Sequence, residues 1–145
     1  MYFVDREKIE EILKYLEKLI HLFSDQKEWS TPLEKAALER LNHMMIESVL
    51  DVGNSMIDGF IMRDPGSYDD IIDILMDEKV ISAESGNSLK TLIQYRKRLV
   101  QFYTDVNHQE LQGVFAKHLH ELVNFAANVR DYLANELGPV SAFKN

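Results

Sequence analysis

Residues 31–61, TPLEKAALERLNHMMIESVLDVGNSMIDGFI, decide the fold. Thr31 can cap a helix, Pro32 suits its first turn, and Glu34, three residues after the cap, completes a capping box. From there Leu38, Leu41, Met45, Val49, Val52, Met56 and Phe60 recur at helical spacing and form one stripe. Met44, Ile46, Leu50, Ile57 and Ile61 widen that stripe almost all the way round. A helix apolar on nearly every side belongs at the centre of a bundle, or has one face covered by a second chain. Gly53 and Gly59 inside it mark close approach of a neighbouring element.

The flanking segments supply the neighbours. Upstream, Ile9, Ile12, Leu13, Leu16, Leu19, Ile20 and Phe23 make a single apolar stripe, and Asp5 is a fitting N-cap, so a first helix is predicted from about Asp5 to Ser24. Downstream, Arg63-Asp64-Pro65-Gly66 breaks the chain, and Ser67 through Asp70 open a short helix carrying Ile71, Ile72 and Leu75. Val80-Ile81-Ser82 is the next joint. A fourth helix is predicted from about Ser82 to Tyr103, with Leu89, Leu92, Ile93, Leu99 and Val100 inward. Asn107 and Glu110 form another box, opening a fifth helix with Leu111, Val114, Phe115, Leu119, Leu122, Val123, Ala126, Val129 and Leu133 on its apolar side. Gly138-Pro139 stops it. Short connections imply antiparallel neighbours, so the fold class is all-α: an up-and-down bundle of four long helices with one short helix inserted between the second and fourth. With no internal repeat and no linker, residues 1–145 read as one domain.

Composition narrows the chemistry. The chain of 145 residues is 46% hydrophobic and 28% charged, enough to support its own core. It has no cysteine, which excludes thiol catalysis, thiolate metal sites and disulfides. A net charge of −8 counts against a surface that grips nucleic acid as a whole and leaves room for a local basic site. Met1-Tyr2-Phe3-Val4-Asp5-Arg6 runs straight into alternating Glu and Lys, without the apolar centre of a signal peptide, and no stretch approaches the ~20 apolar residues of a membrane span. The expectation is a soluble, cytoplasmic protein that does not engage membranes.

A di-iron carboxylate bundle requires Glu-x-x-His on two helices. The residues three before His21, His43, His108, His118 and His120 are Lys18, Arg40, Asp105, Phe115 and Lys117, so no metal centre is expected. His43 stands between Glu39 and Glu47 at spacings of four, which ion pairing or packing accounts for better than a ligand cluster. Phosphate-binding glycine loops and the nucleophile elbow are absent, and no cofactor is expected. Charge is unevenly spread, however. Asp64, Asp69, Asp70, Asp73, Asp77, Glu78 and Glu84 are opposed only by Lys79, after which Lys90, Arg96, Lys97 and Arg98 carry every charge up to Thr104. Two readings fit: a solvated helix face, or an anion site with Arg96 and Tyr103 two turns apart on one helical side.

The stretch Tyr95-Arg96-Lys97-Arg98-Leu99-Val100-Gln101-Phe102-Tyr103 resembles the HepT-like branch of the HEPN family, whose signature is Arg, four to six residues, His, one residue, Tyr. Ala37-Leu38-Glu39-Arg40 through Asp51-Val52-Gly53-Asn54 is similar to that family's second helix. Pro65-Gly66-Ser67-Tyr68 with Ile71, Leu75 and Val80-Ile81 is similar to its inserted short helix, so the likeness runs from about Asp5 to Leu137. The resemblance implies a homodimer whose signature helices share a cleft, metal-independent endoribonuclease chemistry, a toxin role, and a small nucleotidyltransferase antitoxin as partner. It also makes Arg96 the family arginine and Tyr103 the tyrosine that the antitoxin modifies with AMP.

Gln101 stands where the family has histidine, and Lys97 where it often has asparagine. An amide does not titrate near neutral pH, and losing a general acid or base costs about 10²–10⁴ in rate. The expected function is therefore that of a HepT-like protein of the ribonuclease-toxin lineage, weak or inactive, which leaves open whether it is an enzyme. Arg96, Gln101 and Tyr103 occupy the catalytic positions; Arg96, Lys97 and Arg98 are the candidates for phosphate of RNA or a nucleotide, with no DNA expected. The alternative is a catalytically inert dimeric module that binds a nucleotide, RNA or a partner protein.

Overall fold

Every helix start read from the sequence carries its cap, but of the two boxes only the one at Thr31 closes: Asn107 accepts from the Glu110 N–H, whereas the Glu110 carboxylate accepts from the Tyr95 hydroxyl instead of the Asn107 N–H. Thr31 Oγ1 accepts from the Glu34 N–H at 3.2 Å while Glu34 Oε1 accepts from the Thr31 N–H at 3.0 Å, closing the box. Asp5, Ser67, Ser82 and Asn107 each accept from a backbone N–H three residues on. A computed structural model of the chain describes residues 2–138. Its helices are α1 (Arg6–Asp25), α2 (Pro32–Gly59), α3 (Tyr68–Asp77), α4 (Ala83–Ile93), α5 (Tyr95–Val100), α6 (His108–Lys117) and α7 (Leu119–Leu137).

The bundle of four long helices plus one inserted helix holds, with two of the long ones interrupted. What reads as one helix from Ser82 to Tyr103 is α4 and α5, offset at Gln94, whose N–H still reaches Lys90 O at 3.2 Å. It ends at Val100, three residues short of Tyr103, because the Phe102 N–H turns back to Lys97 O and the Asp105 N–H bonds Phe102 O. Thr104, Asp105 and Asn107 favour caps and turns over helix interiors, which is why the helix does not resume at once. The last predicted helix likewise divides into α6 and α7 at His118 (φ −105°, ψ 12°), whose carbonyl accepts from the Glu121 N–H. Gly138 closes α7 at φ 82°, a conformation that suits glycine, and donates to Ala134 O; the predicted Pro139 stop lies outside the described residues.

Helix α2 is central, touching α1, α3, α5 and α6. Leu38, Met45, Ile46, Val49, Leu50, Val52, Met56 and Ile57 are buried within this one chain, so most of its apolar girth is used internally. Gly53 has the role expected of it: a Cβ there would sit 2.5 Å from Ile71 Cγ2, and its absence lets α3 lie against α2. Ile61 departs from expectation. It lies past the helix at φ 56° and is 71% exposed, so it belongs to the helix stop and not to the stripe.

Across the bundle, Arg130 of α7 forks onto two carboxylates of α1, reaching Glu10 at 2.7 and 3.0 Å and Glu17 at 2.8 and 2.9 Å. The hydrogen bond from Arg130 holds Glu17 below its ordinary range against the opposing effect of burial. A carboxylate with a lowered folded-state pKa stabilises the fold above its unfolded pKa and loses that contribution as pH falls through the lowered value. Arg130→Leu should therefore cost about 1 kcal/mol at neutral pH, the groups being partly solvated. Urea midpoints should show the variant and parent converging as pH is lowered through the carboxylate range; a constant gap would assign Arg130 a packing role alone.

Candidate functional site

The candidate residues sit where α5 crosses α2 and faces the start of α3. On α2, His43, Glu47 and Asp51 follow at spacings of four and share one face. Arg96 from α5 lays its Nε 2.6 Å from Glu47 Oε1, and His43 Nε2 lies 3.1 Å from the same oxygen. The side chains of Arg96 and Glu47 are each 25% exposed, so the pair is substantially removed from water. Tyr68, the first residue of α3, covers the guanidinium with its ring centroid 4.4 Å from Cζ, a cation–π contact that leaves the group charged while shedding hydration. Asp51 is pushed above the ordinary carboxylate range by partial burial and then by the Glu47 charge, with Lys8 and Arg96 pulling the other way.

The Glu39–His43–Glu47 series does share a helix face, but its outer members bind across the bundle. Glu39 Oε2 meets His108 Nε2 of α6 at 2.6 Å, and Glu47 meets Arg96 of α5. These contacts rivet α5 and α6 to the central helix. Among the described residues no group of three or more His, Asp or Glu side chains is arranged to hold a metal ion, and no helix is long and apolar enough to cross a membrane. His118 stands apart at the α6–α7 joint, pushed down by burial and by Lys117 and His120.

Arg96, Lys97 and Gln101 line one recess between α3 and α5, with a volume of about 440 Å³, together with Ile93, Tyr68, Val100 and one acidic residue, Asp69. Arg96 presents only Nε to Glu47; among the described residues its two terminal nitrogens make no hydrogen bond. The structure separates the other two candidates from this recess. Arg98 turns to Asp105 and lines a different hollow with Tyr95 and Glu110. Tyr103 is 63% exposed and lies in the turn after α5, so it does not share a helical side with Arg96. Between them, Phe102 folds back under the cations, its ring centroid 5.8 Å from Lys97 Nζ and 5.5 Å from Arg98 Cζ.

Glu47 and Tyr68, the two side chains that orient Arg96, are not identified as site residues from sequence. Glu47 is 49 positions from Arg96, and no local spacing links them. The usable signal is weak: Glu47 is one of several carboxylates on α2, and only the side-chain burial that tertiary packing gives it marks it as needing a cation.

Residues 9–129 match the Ribonuclease HepT-like family. YutE of Bacillus subtilis (strain 168), which carries a provisional RNase name, is 54% identical over 144 residues, spanning 99% of this chain and 100% of YutE. The solved structure of YutE, a cytosolic protein of unknown function, aligns with a TM-score of 0.95 at 53% identity over 99% of this chain and 100% of that one. A toxin–antitoxin crystal structure, MntA–HpeT, aligns with a TM-score of 0.76 at 16% identity, over 85% of this chain and 98% of that one. A tri-AMPylated Shewanella oneidensis HEPN toxin in complex with MNT antitoxin does so with the same score and identity, over 85% of this chain and 96% of that one. At that identity the last two share the fold alone. The family match over most of the chain and the extensive likeness to YutE lead to one assignment: the chain belongs to the HepT-like ribonuclease family.

Proposed function

We propose that this protein is a dimeric, cytoplasmic HepT-like protein of the ribonuclease-toxin lineage. In this reading the recess at Arg96, Lys97 and Gln101 holds a phosphate of RNA, and cleavage is weak or absent. All 145 residues act as one HepT-like unit. The observation that carries the reading is the juxtaposition of Arg96, Lys97 and Gln101 on one concave surface, with the terminal nitrogens of Arg96 unbonded among the described residues. A guanidinium oriented by Glu47 and Tyr68 is suited to a phosphate and to the extra charge of a pentacovalent phosphorane. What the recess lacks is a proton shuttle: Gln101 can donate and accept hydrogen bonds but does not titrate.

The Tyr103 side chain, exposed in the turn after α5, is accessible to a modifying enzyme, which supports a nucleotidyltransferase antitoxin as partner. The complexes of the distant fold relatives with MNT antitoxin point the same way. The Arg96–Glu47 pair favours the second reading, an inert binding module, because it gives Arg96 a structural partner without any ligand.

Titration of a single-stranded oligoribonucleotide distinguishes them. Arg96→Ala should weaken binding and flatten the dependence of log affinity on log salt by about 0.7, the share of one phosphate contact on a single strand. Equal affinity and slope in parent and variant would leave Arg96 as a strut.

Support for a dimer does not come from α2, whose apolar residues are consumed within the chain. It comes from exposed apolar side chains at this end of the bundle: Tyr68 and Val100, which line the recess, and Phe102 and Tyr103 in the turn that follows α5. Light scattering should return about twice the 16.9 kDa chain mass. A monomer at micromolar concentration would remove the shared cleft from the proposal.

A further inference from the structure

A second recess, sharing no lining residue with that of Arg96, opens between the α1–α2 connection and the start of α6, with a volume of about 720 Å³. Its wall contains Trp29, the sole tryptophan of the chain. Buried Phe23 stacks on the indole at 5.7 Å between centroids and 21° between planes, and the partly buried Trp29 side chain contributes to the lining of the recess. Lys27 and Lys35 flank it, both exposed, and among the described residues neither makes an ion pair; Glu28 is the one acidic residue in the lining. On the opposite wall Gln109 and Gln112, three apart on α6, present amides that can donate and accept.

An aromatic platform backed by a second ring, two unpaired cations and adaptable amides make up the equipment for holding a base and its flanking phosphates. The floor is also fixed: Asn107 caps α6 and the Glu39–His108 contact ties that helix to α2. We propose that this recess is a docking site for single-stranded RNA, in which a base stacks on Trp29 and Lys27 and Lys35 hold the phosphates on either side. It shares its ligand class with the proposed function but none of its residues, so either can fail alone.

Because Trp29 is the only tryptophan, indole emission reports this recess directly. Adding a short oligoadenylate to the full-length protein should quench that emission to saturation, with log affinity falling against log salt at a slope of about −1.4 for two phosphate contacts. Lys27→Ala/Lys35→Ala, a change at two exposed positions that leaves the fold intact, should weaken the quench about tenfold and abolish most of the slope. Arg96→Ala should leave the quench unchanged, which separates this site from the first. No quench by the oligomer, or a quench indifferent to the lysine substitutions, would overturn the proposal. Equal affinity for AMP and the oligomer would overturn the assignment to a strand in favour of a mononucleotide site.

Discussion

Gln101→His should raise RNA cleavage by about 10²–10⁴ over the parent, the contribution usual for a well-placed general acid or base. Gln101 is exposed, lines the recess with Arg96, and its backbone is held by the N–H bond to Lys97 O at 2.8 Å, so an imidazole there would reach the same solvent-open surface. The gain should vanish in Gln101→His/Arg96→Ala, because the proton shuttle is useless without a cation for the phosphorane. It should persist in EDTA if the metal-independent chemistry implied by the resemblance of the Tyr95–Tyr103 stretch operates here. Lys97 works against the substitution: its charge lowers the pKa of a neighbouring histidine and so reduces the protonated fraction at neutral pH. Adding Lys97→Asn should therefore raise the rate further. Single-turnover assays on labelled RNA would measure each step, with circular dichroism and light scattering confirming folded protein of unchanged assembly. If neither histidine variant cuts RNA while both remain folded, the ribonuclease reading of this recess gives way to the binding module.

Much of the fold is legible in the sequence because its boundaries are chemically marked. Asp5, Thr31, Ser67, Ser82 and Asn107 each satisfy an orphan N–H of the helix they open, and the spacing of apolar residues does the rest. Interruptions at Gln94 and His118 are not legible, since neither Gly nor Pro stands there and the apolar period continues through both. The stop after Val100 has the largest consequence. Periodicity alone runs on through Phe102 and Tyr103, whereas the backbone turns at Gln101 and carries Tyr103 away from the helical line of Arg96. At the site, the local cluster Arg96–Lys97–Gln101 is readable because one short segment carries all three residues. Its support is not, because Glu47 and Tyr68 come from elements that only tertiary packing brings together.

That support can be tested from behind. Phe115 and Phe125 are both fully buried, one on α6 and the other on α7, and truncating either to alanine should cost about 3–5 kcal/mol in urea unfolding. Their effects on the recess should differ. Phe115 meets the edge of Tyr95 at 6.4 Å between ring centroids, and Tyr95 donates its hydroxyl to Glu110 of the same helix at 3.2 Å. Tyr95 immediately precedes Arg96 in a helix of six residues, too short to hold its own geometry without such anchors. Phe115→Ala should therefore let α5 move relative to α2 and weaken oligoribonucleotide binding at Arg96 about tenfold in the folded fraction, an effect of about 1.4 kcal/mol. Phe125→Ala should leave that affinity unchanged at a comparable loss of stability. Phe115→Leu, which keeps most of the apolar volume but not the ring edge, provides the comparison should the alanine variant fail to fold. If Phe115→Leu binds RNA as the parent does, the contact between α2 and α5 positions Arg96 without help from α6.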